Sequence, residues 1–170
     1  MHLTLLTLHR GIYANVQIRP RWPAQQVQVD SDAFSKLQRI QTNLPEHIGL
    51  ILTRGYEKKE SQLGFVRNKF RSLGIRTFRF CYSSRQGEID AIFGSNGHDM
   101  DGTHIDVSFL LHGRRVRLLP LSVFTPLFWQ KRRVERYALP LCQVKEALIN
   151  EGFRIHLNST ESLQIHCDLN

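Results

Sequence analysis

Apolar and polar residues alternate along the first thirty positions of the chain, and alternation is the pattern of β-strands. The alternating stretches lie at about 3–8, 12–18 and 26–30. Two prolines separate the last two stretches, so the pattern there predicts two short strands or an extended arm. We expect residues 1–29 to form this N-terminal part within the same domain as residues 30–170.

Apolar residues at helical spacing predict three helices. The first helix follows Asp30 or Ser31, either of which can cap its N-terminus, and Pro45 ends it. A second helix ends at Gly74, and a third occupies about 140–151 before Gly152. The spaced apolar residues of the first two helices are Phe34, Leu37, Ile40 and Leu44, then Leu63, Val66, Phe70 and Leu73.

Strands are predicted between and after these helices. The segment 48–56 is apolar on both faces until it nears its end, and 75–82 alternates again. A hairpin is predicted around a tight turn at His112–Gly113, residues 120–129 look irregular, and two strands end the chain. Because helices and strands mix without strict alternation, we expect an α+β fold, a single domain with a largely antiparallel sheet flanked by about three helices.

Composition narrows the class of protein. No apolar run is long enough to span a membrane, and the N-terminus lacks the basic segment of a signal peptide. Three widely spaced cysteines indicate neither a disulfide framework nor a thiolate metal site. We therefore expect a cytoplasmic protein or one exported by a non-classical route. The net charge of +8 favours anionic partners, which include nucleic acid and the bacterial cell wall.

The segment from Ser95 to Phe109 carries the most informative chemistry, because histidines and aspartates crowd into it. His104 and Asp106 are two residues apart and would share one face of a strand. His98 lies just upstream in a glycine-rich loop, and His166 lies on the predicted last strand. Imidazole with carboxylate is the usual ligand set of a catalytic Zn²⁺, so these residues are candidate metal ligands.

Over roughly residues 30–168, the chain resembles the D-Ala-D-Ala-type zinc peptidases, which share a fold with lysostaphin-like endopeptidases and the hedgehog signalling domain. The motifs that carry the resemblance are Thr53-Arg54-Gly55-Tyr56, His98, the strand from Gly102 to Asp106, and His166. The resemblance implies a metallopeptidase with zinc as cofactor and a peptide substrate, such as a D-amino-acid-containing cell-wall peptide.

The resemblance also implies roles for individual residues. His98, Asp106 and His166 would bind zinc, Tyr56 would bind the substrate, and an arginine near the G-Y turn would face the substrate. The family has that arginine directly after G-Y, where this chain has Glu57, so Arg54 is the nearest replacement.

Two departures leave alternatives open. Aligning Gly102 and Asp106 with the family motif puts Asp99 in the first ligand position, so the loop has an extra residue or Asp99 or His104 is the ligand. The general base normally lies two or three positions before the last histidine, where this chain has Gln164 and Leu163. The remaining candidates for the base are Glu161 and Asp168. A catalytically inactive member of the fold is the corresponding alternative.

A nucleic-acid-binding protein or metal-dependent nuclease is the competing hypothesis. The net charge supports it, and the acidic segment Gly87–Asp90 followed by His104–Val107 has some likeness to the acidic strands of nucleases. Such sites usually carry a lysine two residues after the second acid, and here that residue is Ser108.

Overall fold

The structure of the chain, a computed structural model, describes residues 4–56, 62–89, 103–117, 126–156 and 163–169. Its strands are β1 (Leu5–His9), β2 (Gly11–Tyr13), β3 (Val16–Ile18), β4 (Gln26–Asp30), β5 (Ile48–Arg54), β6 (His104–Leu111), β7 (Arg114–Arg115), β8 (Phe153–Ile155) and β9 (Ile165–Leu169). Its helices are α1 (Ser31–Asn43), α2 (Gln62–Cys81), α3 (Leu127–Arg136) and α4 (Ala138–Asn150), with a 3₁₀-helix at Ser83–Glu88.

One seven-stranded sheet organises the fold, in the order β2-β3-β5-β6-β9-β8, with β7 paired to β6. Strands β3 and β5 run parallel, whereas the other neighbours run antiparallel. Strands β1 and β4 form a separate antiparallel pair. The structure confirms the predicted class, an α+β domain with a largely antiparallel sheet.

One face of the sheet packs on α1 and α4 to form the hydrophobic core. Alternate residues of the central strands, such as Leu52, Val107 and Ile165, are fully buried there. Helix α1 contributes Ala33, Phe34, Leu37 and Ile40, and α4 contributes Leu141, Val144 and Leu148. Each large side chain buried in this way stabilises the fold by about 1.5–3 kcal/mol.

The opposite face of the sheet is polar at its centre. Thr53, Asp106 and Ser108 point to this face, and all three are almost completely buried. Burying a polar side chain destabilises the folded state unless the side chain is hydrogen-bonded. Buried polar residues at the centre of a sheet are therefore candidates for a functional role.

Most of the predicted elements are present close to their predicted bounds. Asp30 caps α1, because its carboxylate accepts hydrogen bonds from the backbone N–H groups of Asp32 (2.9 Å) and Ala33 (3.3 Å). The turn at His112–Gly113 has positive φ at both residues (49° and 73°), as a tight hairpin turn requires. Gly152, with φ 89°, follows α4 as predicted.

Two predictions of secondary structure were wrong. The second helix does not end at Gly74, and 75–82 is not a strand, because α2 continues to Cys81. Apolar residues alternate in this segment, but they do not share one buried face: Phe78 is fully buried, whereas Phe80 is 90% exposed. Residues 127–129 were predicted to be irregular, but they form the start of helix α3, which directly follows Pro126.

No helix within the described ranges combines the length and apolar character that crossing a membrane requires.

Candidate metal centre

Three side chains with metal-binding atoms meet on the polar face of the sheet. Asp106 on β6 lies directly opposite His166 on β9, and His104 lies two residues before Asp106 on the same face. The ligand atoms of His104, Asp106 and His166 all lie within 4.8 Å of one another. The pairing of β6 with β9 thus brings together residues sixty positions apart in the sequence.

Asp106 is held from both sides. One carboxylate oxygen, Oδ1, contacts Nδ1 of His166, and the other, Oδ2, accepts a hydrogen bond of 3.1 Å from Nε2 of Gln164. The backbone carbonyl of Asp106 accepts a hydrogen bond of 3.0 Å from the Thr53 hydroxyl. These contacts fix the direction of a carboxylate that is only 2% exposed.

Asp106 is ionised despite its burial. Burial alone would raise its pKa, but the hydrogen bond and charge of His166, with the charges of Arg54 and Arg21, lower the pKa below the usual value. A metal-binding carboxylate must be deprotonated, so Asp106 is ready to coordinate a cation at neutral pH.

A β-bulge directs Arg54 towards this centre. Leu52 pairs with Val107, yet Arg54 pairs with Asp106, so Thr53 and Arg54 together lie opposite one residue of β6. In a regular ladder Arg54 would alternate onto the core face. The extra residue returns its side chain to the polar face, which is how bulges redirect side chains beside functional sites.

A second layer of polar residues lies behind His104. The ring of His104 stacks on the ring of His156, with centroids 5.2 Å apart and planes tilted by 27°. Nε2 of His156 lies 2.8 Å from Oδ1 of Asp168, at an ion-pair distance without hydrogen-bond alignment. His156 therefore lies between a candidate ligand and a carboxylate, where it can restrict the orientation of the His104 ring.

The predicted site residues fall into three groups. His104, Asp106 and His166 come together, and Arg54 lies beside them. Asp168 contacts His156 rather than joining the three ligand atoms, and Tyr56 bridges to Gln28 of β4. His98, Asp99 and Glu161 lie outside the described residues.

Four residues of the site were not identified from sequence. Thr53, Gln164 and His156 contact the site through strand pairing, which a single sequence does not display. Arg21 acts on Asp106 through its charge from the segment after β3. The sequence named Thr53 within the T-x-G-Y motif and Gln164 at the expected position of the base, but neither was predicted to hold Asp106.

The donor set fits a divalent transition metal. Two imidazoles and one carboxylate are the ligand types that zinc accepts, and a fourth position would be left for water or substrate. The direct contact between His166 and Asp106 would open to admit the ion.

Neither a protein-family profile nor a curated protein sequence matches the chain. The geometry of the site itself shows an α+β domain with a candidate metal-binding triad, formed by His104, Asp106 and His166.

Proposed function

We propose that the chain is a zinc-dependent hydrolase that cleaves peptide bonds, and that its substrates are D-amino-acid-containing cell-wall peptides. The observation that carries the proposal is the convergence of His104, Asp106 and His166 on one buried, polar part of the sheet. The motif around Thr53–Tyr56 and the late histidine support the choice of peptide substrate through the resemblance to zinc peptidases.

The ligand set supports zinc. Histidine nitrogen and carboxylate oxygen, without thiolate, are typical of catalytic rather than structural zinc sites. Bound zinc would supply a water molecule with a pKa lowered to about 7 and would polarise the scissile carbonyl.

The chain's own residues divide the remaining work. Asp106 and the two histidines would hold the metal, while Gln164 and Thr53 keep Asp106 oriented. Arg54 lies where it can pair with a substrate carboxylate or with the oxyanion that develops during the reaction.

The general base is assigned to a carboxylate near the last histidine. Gln164 cannot accept a proton at neutral pH, and Leu163 is buried in the core, so neither residue serves. Asp168 or Glu161 would take the proton of the attacking water and deliver it to the leaving amine.

Hydrolysis of D-alanyl-D-alanine tests the proposal. Zinc-loaded protein should release D-alanine, measured by an amine-specific assay, and chelation of the metal should abolish the release. Asp106→Asn should remove the activity, whereas His47→Ala should keep it, because His47 is exposed and stacks on His112 at the end of β6 opposite to His104. Activity that survives chelation or Asp106→Asn would overturn the proposed mechanism.

Binding of nucleic acid is the second candidate function, and the surface of α2 favours it. The helix contains Arg67, Lys69, Arg71, Arg76 and Arg79 and no acidic residue. Phe65, Phe70 and Phe80 are exposed on the same helix, and aromatic side chains among cations are typical of single-strand binding. A gel shift that weakens steeply with salt would favour this function over peptide hydrolysis.

A further inference from the structure

Four arginines gather on the sheet face that carries the candidate metal centre. Arg19 and Arg21 extend β3, because their backbone N–H groups donate to the carbonyls of Leu52 and Thr53 at 3.0 Å. Alternation places both side chains on the polar face, since Ile18 between Gln17 and Arg19 is in the core.

The other two arginines, Arg115 at the end of β7 and Arg117 just after it, reach the same face. Arg115 pairs with Leu110 of β6, which lies on the Asp106 side of the strand, and Val116 turns into the core between Arg115 and Arg117. The charges of Arg19, Arg21 and Arg117 all act on the Arg115 guanidinium. We call Arg19, Arg21, Arg115 and Arg117 the arginine cluster.

Arg115 is in an unfavourable environment. Burial and the three neighbouring positive charges lower its pKa to about 10, although arginine normally keeps its proton far above that pH. Its Nε is shielded from solvent and has no hydrogen-bond partner among the described residues. The ion pairs found in the described part of the chain likewise give Arg115 no carboxylate.

A bound anion would relieve this environment. Like charges in a partly buried position repel strongly, whereas an oxyanion between them would accept charge-assisted hydrogen bonds. The planar guanidinium fork matches the oxygen spacing of phosphate, and several forks can bind one phosphate group.

We infer that the arginine cluster is a binding site for a phosphate group, either free phosphate or a phosphate monoester. Arg21 belongs to the cluster and also acts on Asp106, so the anion would bind beside the candidate metal centre. The site needs no metal ion, and the inference is therefore independent of the proposed hydrolase function.

Calorimetric titration of metal-free protein with inorganic phosphate, at ionic strength held constant with KCl, tests the inference. Arg115→Gln and Arg19→Gln should each weaken phosphate binding by about tenfold or more, the loss expected for one charge-assisted hydrogen bond. Arg114→Gln is the matched control, because Arg114 is the exposed neighbour of Arg115 and alternates away from the cluster. It should change the affinity by less than about twofold, since exposed charges are screened by salt.

Thermal melting provides a second measurement that does not depend on a titration signal. At the same phosphate concentration, phosphate should raise the melting temperature of the wild-type protein more than that of Arg115→Gln, because the variant binds phosphate more weakly. Without phosphate, Arg115→Gln should melt at or above the wild-type temperature, because the substitution removes repulsion. A phosphate monoester such as glycerol phosphate, titrated in parallel, distinguishes a ligand that carries the phosphate from free phosphate.

Three results would overturn the inference. The first is no phosphate binding at millimolar concentration, and the second is equal weakening by Arg114→Gln and Arg115→Gln. The third is that malonate binds as tightly as phosphate and glycerol phosphate, because the arginine cluster would then be a site for carboxylates.

Discussion

At the scale of single residues, the candidate metal centre depends on the side chains that hold the ligands. Asp106 is buried and would be poorly directed without its two partners, His166 and Gln164. Removing a partner of this kind typically lowers metal affinity or activity by about 10–100-fold, because the partner fixes the orientation of the ligand. Gln164 is such a partner, because its side-chain amide donates the hydrogen bond that holds Oδ2 of Asp106.

We predict that Gln164→Leu weakens zinc binding by about 10–100-fold, because Oδ2 of Asp106 loses its donor while the ligand itself stays in place. Competition with a fluorescent zinc chelator measures the affinity. Gln143→Leu is the control, since Gln143 lies on α4, on the core side of the sheet. Unchanged affinity in Gln164→Leu would show that Gln164 does not support the ligand.

At the scale of secondary-structure elements, one glycine explains part of the T-x-G-Y motif. Gly55 follows β5 where the chain passes β4, and the N–H of Tyr56 donates to the carbonyl of Gln28 at 2.7 Å. A Cβ atom at position 55 would lie 2.2 Å from that same carbonyl oxygen. Any larger residue would push β4 and β5 apart at the end of β5, beside Arg54.

We predict that Gly55→Ala lowers the free energy of unfolding by about 1–3 kcal/mol, the usual cost of overpacking, with urea denaturation as the measurement. Gly87→Ala is the control, because a Cβ at Gly87 would meet no atom within 4 Å. Equal stability of Gly55→Ala and wild type would mean that the close approach of β4 to β5 is absent in solution.

The elements also show which parts of the fold a single sequence can predict. Helix α1, strand β5, the β6–β7 hairpin and the last two strands follow from local spacing, caps and turn residues. The extent of α2 cannot be predicted in this way, because the pattern of 75–82 fits both a strand and a helix. A glycine inside a helix costs only about 1 kcal/mol, so tertiary packing can carry the helix through Gly74. The bulge at Thr53–Arg54 depends on the partner strand, so the local pattern could not predict the direction of Arg54.

At the scale of the whole molecule, the sheet separates two environments. Its core face supplies stability through α1 and α4, while its polar face places a candidate metal centre beside a cluster of arginines. His104, Asp106 and His166 could be named from sequence as candidates, but their meeting depends on the register of β6 with β9. The positive charges of Arg21 and Arg54 oppose a bound cation and favour a bound anion. The affinity for the metal ion therefore decides whether the three candidate ligands form a metal site.

Zinc titration of the purified protein, with the variants His104→Ala, Asp106→Asn and His166→Ala, measures whether these three residues form a metal site. We expect the wild type and the exposed-histidine control His47→Ala each to bind one equivalent of zinc. Each ligand variant should bind zinc at least about 100-fold more weakly than the wild type. This loss exceeds the one expected when a residue that only orients a ligand, such as Gln164, is replaced. If the wild-type protein binds no zinc, or if the ligand variants bind it as tightly as the wild type, then His104, Asp106 and His166 do not form a zinc site.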